Sequence, residues 1–139
     1  MSLIYIDTNI YLDYFEGRND YLRPLGEFAF QTFQRTLSCE FTIIFSGLVL
    51  KELSNYMNEE DLYSLLNELK EKNKLIETKT TFQDKEKARQ MIKQKRTDFN
   101  DTLHAIIAQR MNAKYLVTRN VKDYLELQEI VKIMMPESL

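Results

Sequence analysis

The chain has 139 residues, 44% hydrophobic and 29% charged, which is the size and composition of one globular domain rather than of a disordered or membrane-spanning protein. Its 19 Lys and Arg residues against 21 Asp and Glu residues give a formal net charge of −2, which, taken alone, argues against a simple basic nucleic-acid-binding protein. The single cysteine, Cys39, excludes an internal disulfide, and with His104 as the single histidine a structural zinc site has almost no ligands.

The sequence also lacks the patterns of export, membrane insertion and nucleotide-binding loops. No apolar run approaches the roughly 20 residues that span a membrane, and the N-terminus has no basic leader or apolar signal core. We therefore expect a cytoplasmic protein with no membrane partner. Gly17, Gly26 and Gly47 are isolated along the chain and cannot form a phosphate-cradling loop.

Taken in chain order, the sequence alternates short apolar runs with longer amphipathic ones. The short runs contain β-branched residues and predict buried strands over 3–6, 41–45, 75–80, 115–118 and 130–134. The longer runs predict helices over 9–14, 24–37, 48–57, 59–72, 84–96 and 101–111, with a turn over 17–20 and a loop and short helix over 120–127. Thr8 or Asn9 is the expected N-cap of the first helix, and Asp84 that of the fifth.

This alternation predicts an α/β fold with a central parallel sheet. The strands are apolar along nearly their whole length, as in sheets that are covered by helices on both faces. No internal repeat, low-complexity stretch or linker interrupts the pattern, so we expect residues 1–139 to form a single domain.

Polar residues follow the predicted strands at their carboxyl ends, where open parallel sheets bind ligands. Asp7 ends the first strand and Ser46 the second, and Glu52 follows a turn and a half later. The remaining polar positions come from the end of the fourth strand and from the start of the helix before it: Asp98, Asn100, Asp101, Thr118, Arg119, Asn120 and Asp123. Separate segments therefore bring carboxylates to one edge of the sheet.

Clustered carboxylates repel one another and resist ionising together, so they are stable when a cation neutralises them. Oxygen ligands without a cluster of His or Cys favour Mg²⁺ or Mn²⁺ over zinc. A divalent ion among carboxylates activates water and stabilises charge on phosphate. The pattern therefore predicts hydrolysis of phosphodiester bonds.

The same residues also fit purely structural roles. Asp7 is as well suited to capping a helix as to binding a ligand, and Asp98 is better interpreted as a cap. Glu52 fits a solvated helix face, and Asp123 fits the cap of the short helix that follows it. His104 is more simply a packed or hydrogen-bonded histidine than a base or ligand. The functional interpretation therefore depends on these residues meeting at one edge of the sheet.

Three motifs carry a resemblance to a known family. They are YIDTNIYLDY at 5–14, SGLVLKEL at 46–53 and NDTLHAIIAQRMNAKYLVTRNVKDY at 100–124. In this order they resemble the PIN-domain nucleases, and in particular the VapC-like toxins of prokaryotic toxin–antitoxin pairs. The last motif is the most specific, because it combines an acidic helix start, a small-residue helix, a strand, and then TRN and KDY.

The resemblance implies a three-layer α/β/α sandwich, Rossmann-like in its parallel sheet, and an endoribonuclease that depends on Mg²⁺ or Mn²⁺ and leaves 5′-phosphate and 3′-hydroxyl ends. It further implies a homodimer and an antitoxin protein as partners. The family pattern implies these site residues: Asp7, Glu52 and Asp101 as the catalytic and metal-binding acids, Asn9 as the residue that orients Asp7, and Thr118 and Asn120 as pocket residues. The family often has Asp at the position of Asn120, and Asp123 is the candidate replacement.

The segment 85–96, KEKARQMIKQKR, contains six basic residues and one acidic residue. It is either a solvated helix face or a phosphate-tracking stripe for RNA. The candidate RNA-binding residues are Lys85, Lys87, Arg89, Lys93, Lys95 and Arg96, with Arg119 at the pocket. Without Asp7, Glu52, Asp101 and Asp123 the count is 19 basic against 17 acidic residues, so the net charge of −2 does not exclude RNA.

Other functions stay open on the sequence. A nuclease of this kind could serve housekeeping RNA maturation, or the fold could be a catalytically silent scaffold or RNA-binding module. A phosphatase with an aspartate nucleophile needs a second Asp two residues after the first, where this chain has Asn9, and a phosphoreceiver domain needs an acidic pair near the N-terminus. Tyr11, Tyr14 and Phe15 are candidate contacts for a dimer partner or an antitoxin.

Overall fold

A computed structural model describes residues 2–17, 24–38 and 40–139 of the chain, so Cys39 and most of the predicted turn at 17–20 lie outside the described residues. Five parallel strands form one sheet in the order β3-β2-β1-β4-β5. The strands are β1 Ser2–Ile6, β2 Phe41–Ser46, β3 Leu75–Thr78, β4 Tyr115–Val117 and β5 Ile133–Met134. The predicted parallel sheet is confirmed.

Six α-helices connect these strands within the described residues. They are α1 Thr8–Glu16, α2 Leu25–Leu37, α3 Gly47–Leu53, α4 Glu59–Glu71, α5 Phe82–Ile92 and α6 Phe99–Arg110, followed by 3₁₀ helices at Val121–Leu127 and Pro136–Ser138. Crossovers between parallel strands are right-handed, so α1 to α4, which connect β1 to β2 to β3, cover one face of the sheet. The connection from β3 back to β4 runs in the opposite direction and places α5 and α6 on the other face, which confirms the three-layer sandwich.

The core lies on both sides of β1 and β2. Ile4, Tyr5 and Ile6 are fully buried, and every residue of β2 is buried. The register places Ile4 opposite Ile43 of β2 and beside Tyr115 of β4. Burial on both faces explains why these strands are continuous apolar runs rather than alternating ones.

The chain leaves β1 toward β2 on one side, whereas β4 lies on the other side of β1. Such a reversal opens a crevice at the carboxyl ends of the two adjacent strands. Asp7 follows β1 directly, and its backbone N–H donates to the carbonyl oxygen of Val117 at the end of β4, at 2.9 Å. Thr118 is the next residue, so the topology brings Asp7 and Thr118 together.

Two predicted helix caps are wrong by a few residues. The N-cap of α1 is Asp7, whose carboxylate accepts from the backbone N–H of Thr8, rather than Thr8 or Asn9. The N-cap of α5 is Thr81, and Asp84 completes a capping box by accepting from the Thr81 backbone N–H. The prediction that Asp98 caps α6 is confirmed, because its carboxylate accepts from the N–H groups of Asn100 and Asp101.

Several elements are shorter than predicted. Helix α3 ends at Leu53 rather than at 57, and Asn58 caps the next helix. Helix α5 ends at Ile92 rather than at 96, so the basic residues after it are not helical. Strand β5 begins at Ile133, because the N–H groups of Ile130 and Val131 bond the carbonyl of Leu127 in a turn. No helix among the described residues is long and apolar enough to cross a membrane.

Candidate active site

A cavity of about 390 Å³ opens at the carboxyl edge of the sheet. It brings together the four acids that were named as metal-site candidates, together with Asn9 and Asn120. Its lining residues are Asp7, Thr8, Asn9, Leu12, Glu52, Tyr56, Asp101, Asn120, Asp123 and Tyr124. We call it the carboxylate cavity. Four segments that are distant in the sequence contribute to it, as the strand topology requires.

The carboxylate of Asp7 is held by hydrogen bonds on both oxygens. Its Oδ2 accepts from the Thr118 hydroxyl at 2.8 Å, from the Tyr124 hydroxyl at 3.1 Å and from the Asn9 amide at 3.3 Å. Its Oδ1 accepts from the backbone N–H of Thr8 at 2.7 Å. The capping and site interpretations of Asp7 are therefore compatible, since one oxygen caps α1 while the whole group is fixed in the cavity.

Asn9 and Thr118 connect the ends of β1 and β4. The Thr118 hydroxyl accepts from the Asn9 amide at 3.2 Å and from the backbone N–H of Asn120 at 3.2 Å. The Asn9 side-chain oxygen accepts from the backbone N–H of Arg119 at 3.3 Å. Thr118 is fully buried and does not line the cavity, so it acts on the site through these bonds.

Glu52 is half-buried and engaged through one oxygen. Its Oε1 accepts from the Thr8 hydroxyl at 2.9 Å and lies 2.5 Å from His104 Nε2. Burial opposes ionisation, but the His104 and Thr8 hydrogen bonds outweigh it and hold the Glu52 pKa below its ordinary value. Glu52 is therefore ionised at neutral pH. Its Oε2 has no hydrogen-bond partner among the described residues.

A buried chain of hydrogen bonds supports Glu52 from behind. The Tyr5 hydroxyl lies 2.6 Å from His104 Nδ1 and 2.7 Å from Ser46 Oγ, and Ser46 Oγ accepts from the backbone N–H of Val49. An ionised carboxylate only accepts hydrogen bonds, so His104 donates from Nε2 to Glu52. We call Ser46, Tyr5 and His104 the buried relay.

The charge of His104 follows from its carboxylate neighbours. Burial lowers the His104 pKa, but the hydrogen bond to Glu52 and the charges of Asp7, Glu52 and Asp101 outweigh burial, and the pKa lies above its ordinary value. The prediction of a packed, hydrogen-bonded histidine is confirmed. Sequence reasoning missed Tyr5, although a tyrosine inside a buried strand requires a partner for its hydroxyl.

The pKa of Asp101 depends on its burial and on the neighbouring carboxylates. Burial raises its pKa, the charges of Asp7, Asp98 and Asp123 raise it further, and His104 lowers it in part, so that it reaches about 6. The shift therefore reflects the burial of Asp101 together with the negative charge of the neighbouring acids. Asp7 and Asp123, two of the acids that raise this pKa, also line the carboxylate cavity.

The donor set fits a hard divalent cation in chemistry but is not assembled as a ligand sphere. Carboxylate and amide oxygens are ligands for Mg²⁺ and Mn²⁺, and the raised Asp101 pKa marks a site that favours added positive charge. In the described part of the chain, no group of three or more His, Cys, Asp or Glu residues is close enough to hold a metal ion. Glu52 is directed to His104, which accounts for part of this separation.

Arg119 does not line the carboxylate cavity, in contrast to its predicted position. Its Nη1 lies 3.4 Å from Asp13 Oδ1 in α1, and Asp13 is almost fully buried. The Arg119 side chain is therefore partly neutralised inside the fold, since a buried acid requires a compensating charge. The sequence could not show this pairing, because the two residues are far apart along the chain.

The basic segment 85–96 does not form one stripe. Lys85 and Arg89 line a cavity next to the carboxylate cavity, whereas Lys87 lines a separate depression with Ile106. Lys95 forms an ion pair with Glu129 and donates to the Glu126 carbonyl. The last three basic positions, Lys93, Lys95 and Arg96, follow the end of α5. Their common assignment to RNA stays a prediction.

The three residues that were predicted to contact a partner chain differ in their exposure. Tyr11 is fully buried, its ring packed against Phe33 and Phe45, so its nomination as a surface contact is wrong. Tyr14 and Phe15 are half-buried and line a depression of about 530 Å³ together with α4. Only these two stay candidates for contact with another chain.

Comparison with known proteins agrees with this geometry. The sequence profile of the PIN domain family matches residues 4–122. The chain is similar in fold to VapBC2 from Rickettsia felis, solved with a DNA fragment from its promoter, with a TM-score of 0.62 and 22% identity over 96% of both chains. No curated protein sequence is significantly similar to it.

Two further solved structures share the fold. One is a toxin–antitoxin complex from Klebsiella pneumoniae, with a TM-score of 0.61 and 18% identity over 100% of both chains. The other is VapC20 of Mycobacterium tuberculosis, a toxin that cleaves the sarcin-ricin loop, with a TM-score of 0.55 and 13% identity over 81% of this chain and 86% of that chain. At these identities the likeness concerns the fold.

Proposed function

The chain belongs to the PIN domain family of nucleases, and on that premise we propose that it is an endoribonuclease dependent on Mg²⁺ or Mn²⁺. It hydrolyses RNA phosphodiester bonds and acts as the toxin of a toxin–antitoxin pair. The observation that carries the proposal is the carboxylate cavity, in which Asp7, Glu52, Asp101 and Asp123 converge from separate segments. Burial and the charges of Asp7, Asp98 and Asp123 raise the Asp101 pKa to about 6, and a divalent cation would offset this negative charge.

In the proposed site Asp7 and Asp101 hold the cation. Asp7 Oδ1 accepts one hydrogen bond and Oδ2 accepts three, so the carboxylate enters the reaction already oriented. The bound cation supplies a Lewis acid that activates water and stabilises the charge on the leaving 3′-oxygen. Asn120 and Asp123 complete the wall of the cavity, with Asp123 in the role of the acid that Asn120 does not provide.

Glu52 acts on the attacking water. Its Oε1 is occupied by Thr8 and His104, which leaves Oε2 to accept a hydrogen bond from water or to reach the cation through it. The lowered Glu52 pKa keeps this oxygen ionised, so it can accept a proton from the water as the phosphorus is attacked in line. The products are a 5′-phosphate and a 3′-hydroxyl.

A cleavage assay with purified protein tests this assignment. Single-stranded RNA is incubated with Mg²⁺ or Mn²⁺, with and without a chelator, and the fragment ends are sequenced. We expect cleavage only with the cation present, and loss of cleavage in Asp7→Asn and in Asp101→Asn. Asp61→Asn in α4 is the matched control, because Asp61 is an exposed acid outside the carboxylate cavity. Full activity of a folded Asp7→Asn variant would exclude this site.

The toxin role is supported by the likeness to two toxin–antitoxin structures. We further propose that residues 1–139 act as one cytoplasmic domain, that the chain forms a homodimer, and that it binds a small antitoxin protein. Controlled expression that arrests growth, with relief by a gene encoded next to it, would support the toxin role. Cleavage without arrest would favour housekeeping RNA maturation.

A catalytically silent RNA-binding module is the second candidate. The observation in its favour is that the described acids and His104 are not grouped within metal-ligating distance. A folded protein that binds RNA but neither binds Mn²⁺ nor cleaves would establish it.

A further inference from the structure

A second cavity, of about 430 Å³, lies beside the carboxylate cavity and has the opposite charge. Its lining contains four basic residues and no acidic residue. The lining residues are Gly47, Leu48, Lys51, Lys79, Thr80, Lys85, Arg89, Phe99, Asn100 and Leu103. We call it the lysine cavity. Its basic residues come from α3, from the loop after β3 and from α5, so the sequence segment 85–96 reveals only half of it.

The lysines of this cavity are not neutralised within the fold. Lys51, Lys79 and Lys85 are exposed and have no ion-pair partner among the described residues, whereas Arg89 is paired with Glu86. Three ammonium groups that line one concave surface create a positive field that attracts anions. Thr80 and Asn100 add polar groups to the wall, and the half-buried Phe99 adds an apolar ring.

The two cavities are lined by consecutive residues at two places along the chain. Lys51 of the lysine cavity precedes Glu52 of the carboxylate cavity, and Asn100 precedes Asp101. Consecutive Cα atoms are about 3.8 Å apart, so the linings of the two cavities adjoin at these two places. Lys95 pairs with Glu129 and Lys87 lines a separate depression, so the lysine cavity includes only part of the basic segment.

We propose that the lysine cavity binds backbone phosphate of the RNA strand next to the phosphodiester that lies in the carboxylate cavity. This inference rests on the proposed function and adds to it the residues that hold the substrate, with Lys51 and Lys79 as members that the sequence did not indicate. Lysines contact phosphate without reading sequence, so the cavity supplies affinity and register rather than base specificity.

The test measures RNA binding separately from cleavage. In an Asp7→Asn background with Mg²⁺ present, the affinity for a labelled single-stranded RNA is measured by fluorescence anisotropy over a series of salt concentrations. The Lys51→Ala/Lys79→Ala pair should lower the slope of log affinity against log salt by about 0.7 or more, the value for one lost phosphate contact on a single strand. Both lysines are exposed, so we expect the fold to be retained, and circular dichroism of the variant checks this.

The matched control is Lys72→Ala/Lys132→Ala, which removes the same charge from two exposed lysines that precede β3 and β5, at the opposite edge of the sheet. We expect it to leave the slope unchanged. An unchanged slope in the Lys51/Lys79 pair, or an equal fall in the control pair, would overturn the inference. If the wild-type protein cleaves no RNA but the slope still falls only in the Lys51/Lys79 pair, the nuclease proposal fails and the phosphate site stands.

Discussion

Replacement of Tyr5 by Phe tests the buried relay most simply, because it removes a single oxygen atom from the interior. Tyr5 is fully buried in the central strand β1, and its hydroxyl bonds both Ser46 Oγ and His104 Nδ1. Both partners are also buried, so bulk water cannot replace the lost group. The ring stays in place, and the packing of β1 against its neighbours is kept.

The expected decrease in the free energy of unfolding follows from the two hydrogen bonds that the Tyr5 hydroxyl makes. A buried polar group that loses its partner costs about 1–3 kcal/mol. His104 Nδ1 loses the one hydrogen-bond partner it has among the described residues, whereas Ser46 Oγ still accepts from the Val49 backbone N–H at 3.2 Å. The loss at Ser46 is therefore at the low end of this range, about 1 kcal/mol, and the free energy of unfolding of Tyr5→Phe should fall by roughly 2–4 kcal/mol.

Tyr11→Phe is the matched control for this measurement. Tyr11 is also a fully buried tyrosine, but its hydroxyl has no hydrogen-bond partner among the described residues. Removal of an unsatisfied buried hydroxyl releases a desolvation cost, so Tyr11→Phe should be neutral or stabilising. Urea denaturation followed by circular dichroism gives both free energies under one set of conditions. If Tyr5→Phe costs no more than Tyr11→Phe, the relay does not stabilise the fold and the reasoning is refuted.

Two further predictions concern carboxylates with opposite pKa shifts. Burial opposes ionisation of Asp84, but hydrogen bonds from Arg110 and Thr81 outweigh it and lower the Asp84 pKa. The ionised Asp84 therefore stabilises the fold fully above its pKa in the unfolded chain, about 4, and this stabilisation is lost as the pH falls through the pKa of Asp84 in the folded protein. Urea unfolding at pH 7 and pH 3 should therefore show that the free energy of unfolding falls less on acidification in Asp84→Asn than in the wild-type protein. An equal fall would contradict the prediction. The Asp101 pKa of about 6 is raised above its ordinary value, so its ionised form destabilises the fold at neutral pH. Asp101→Asn should accordingly raise the free energy of unfolding at pH 7, and an unchanged free energy would contradict the raised pKa. Asp7→Asn should lower the Asp101 pKa in an NMR titration, and an unchanged pKa would show that these two acids do not interact.

The layout of the fold was predictable because local patterns specify it. Continuous apolar strands alternating with amphipathic helices allow only a few parallel topologies, and the carboxyl edge of such a sheet is where Asp7, Glu52 and Asp101 were expected. The structure brings these three acids to one cavity. Cap positions and strand ends were less accurate, because turn hydrogen bonds such as those of Ile130 and Val131 leave little trace in the sequence.

Pairings between distant residues were not predictable. Tyr5 lies 41 positions from Ser46 and 99 from His104, and only the packing of β1 against β2 and α6 brings them together. The ion pair of Lys95 with Glu129 joins residues 34 positions apart, so the local composition of the basic segment suggested a stripe that the fold divides. For the same reason the sequence did not indicate that Lys51 and Lys79 share a cavity.

The central claim is that the carboxylate cavity binds a divalent cation, and titration with Mn²⁺ by isothermal calorimetry tests it most directly. No three of the described Asp, Glu, His and Cys residues lie within metal-ligating distance, so the titration tests whether Asp7 and Asp101 suffice to hold the cation. We predict saturable Mn²⁺ binding to the wild-type protein and its loss in Asp101→Asn, with Asp61→Asn unchanged. A folded wild-type protein that gives no binding heat and no rise in melting temperature with Mn²⁺ would contradict the claim.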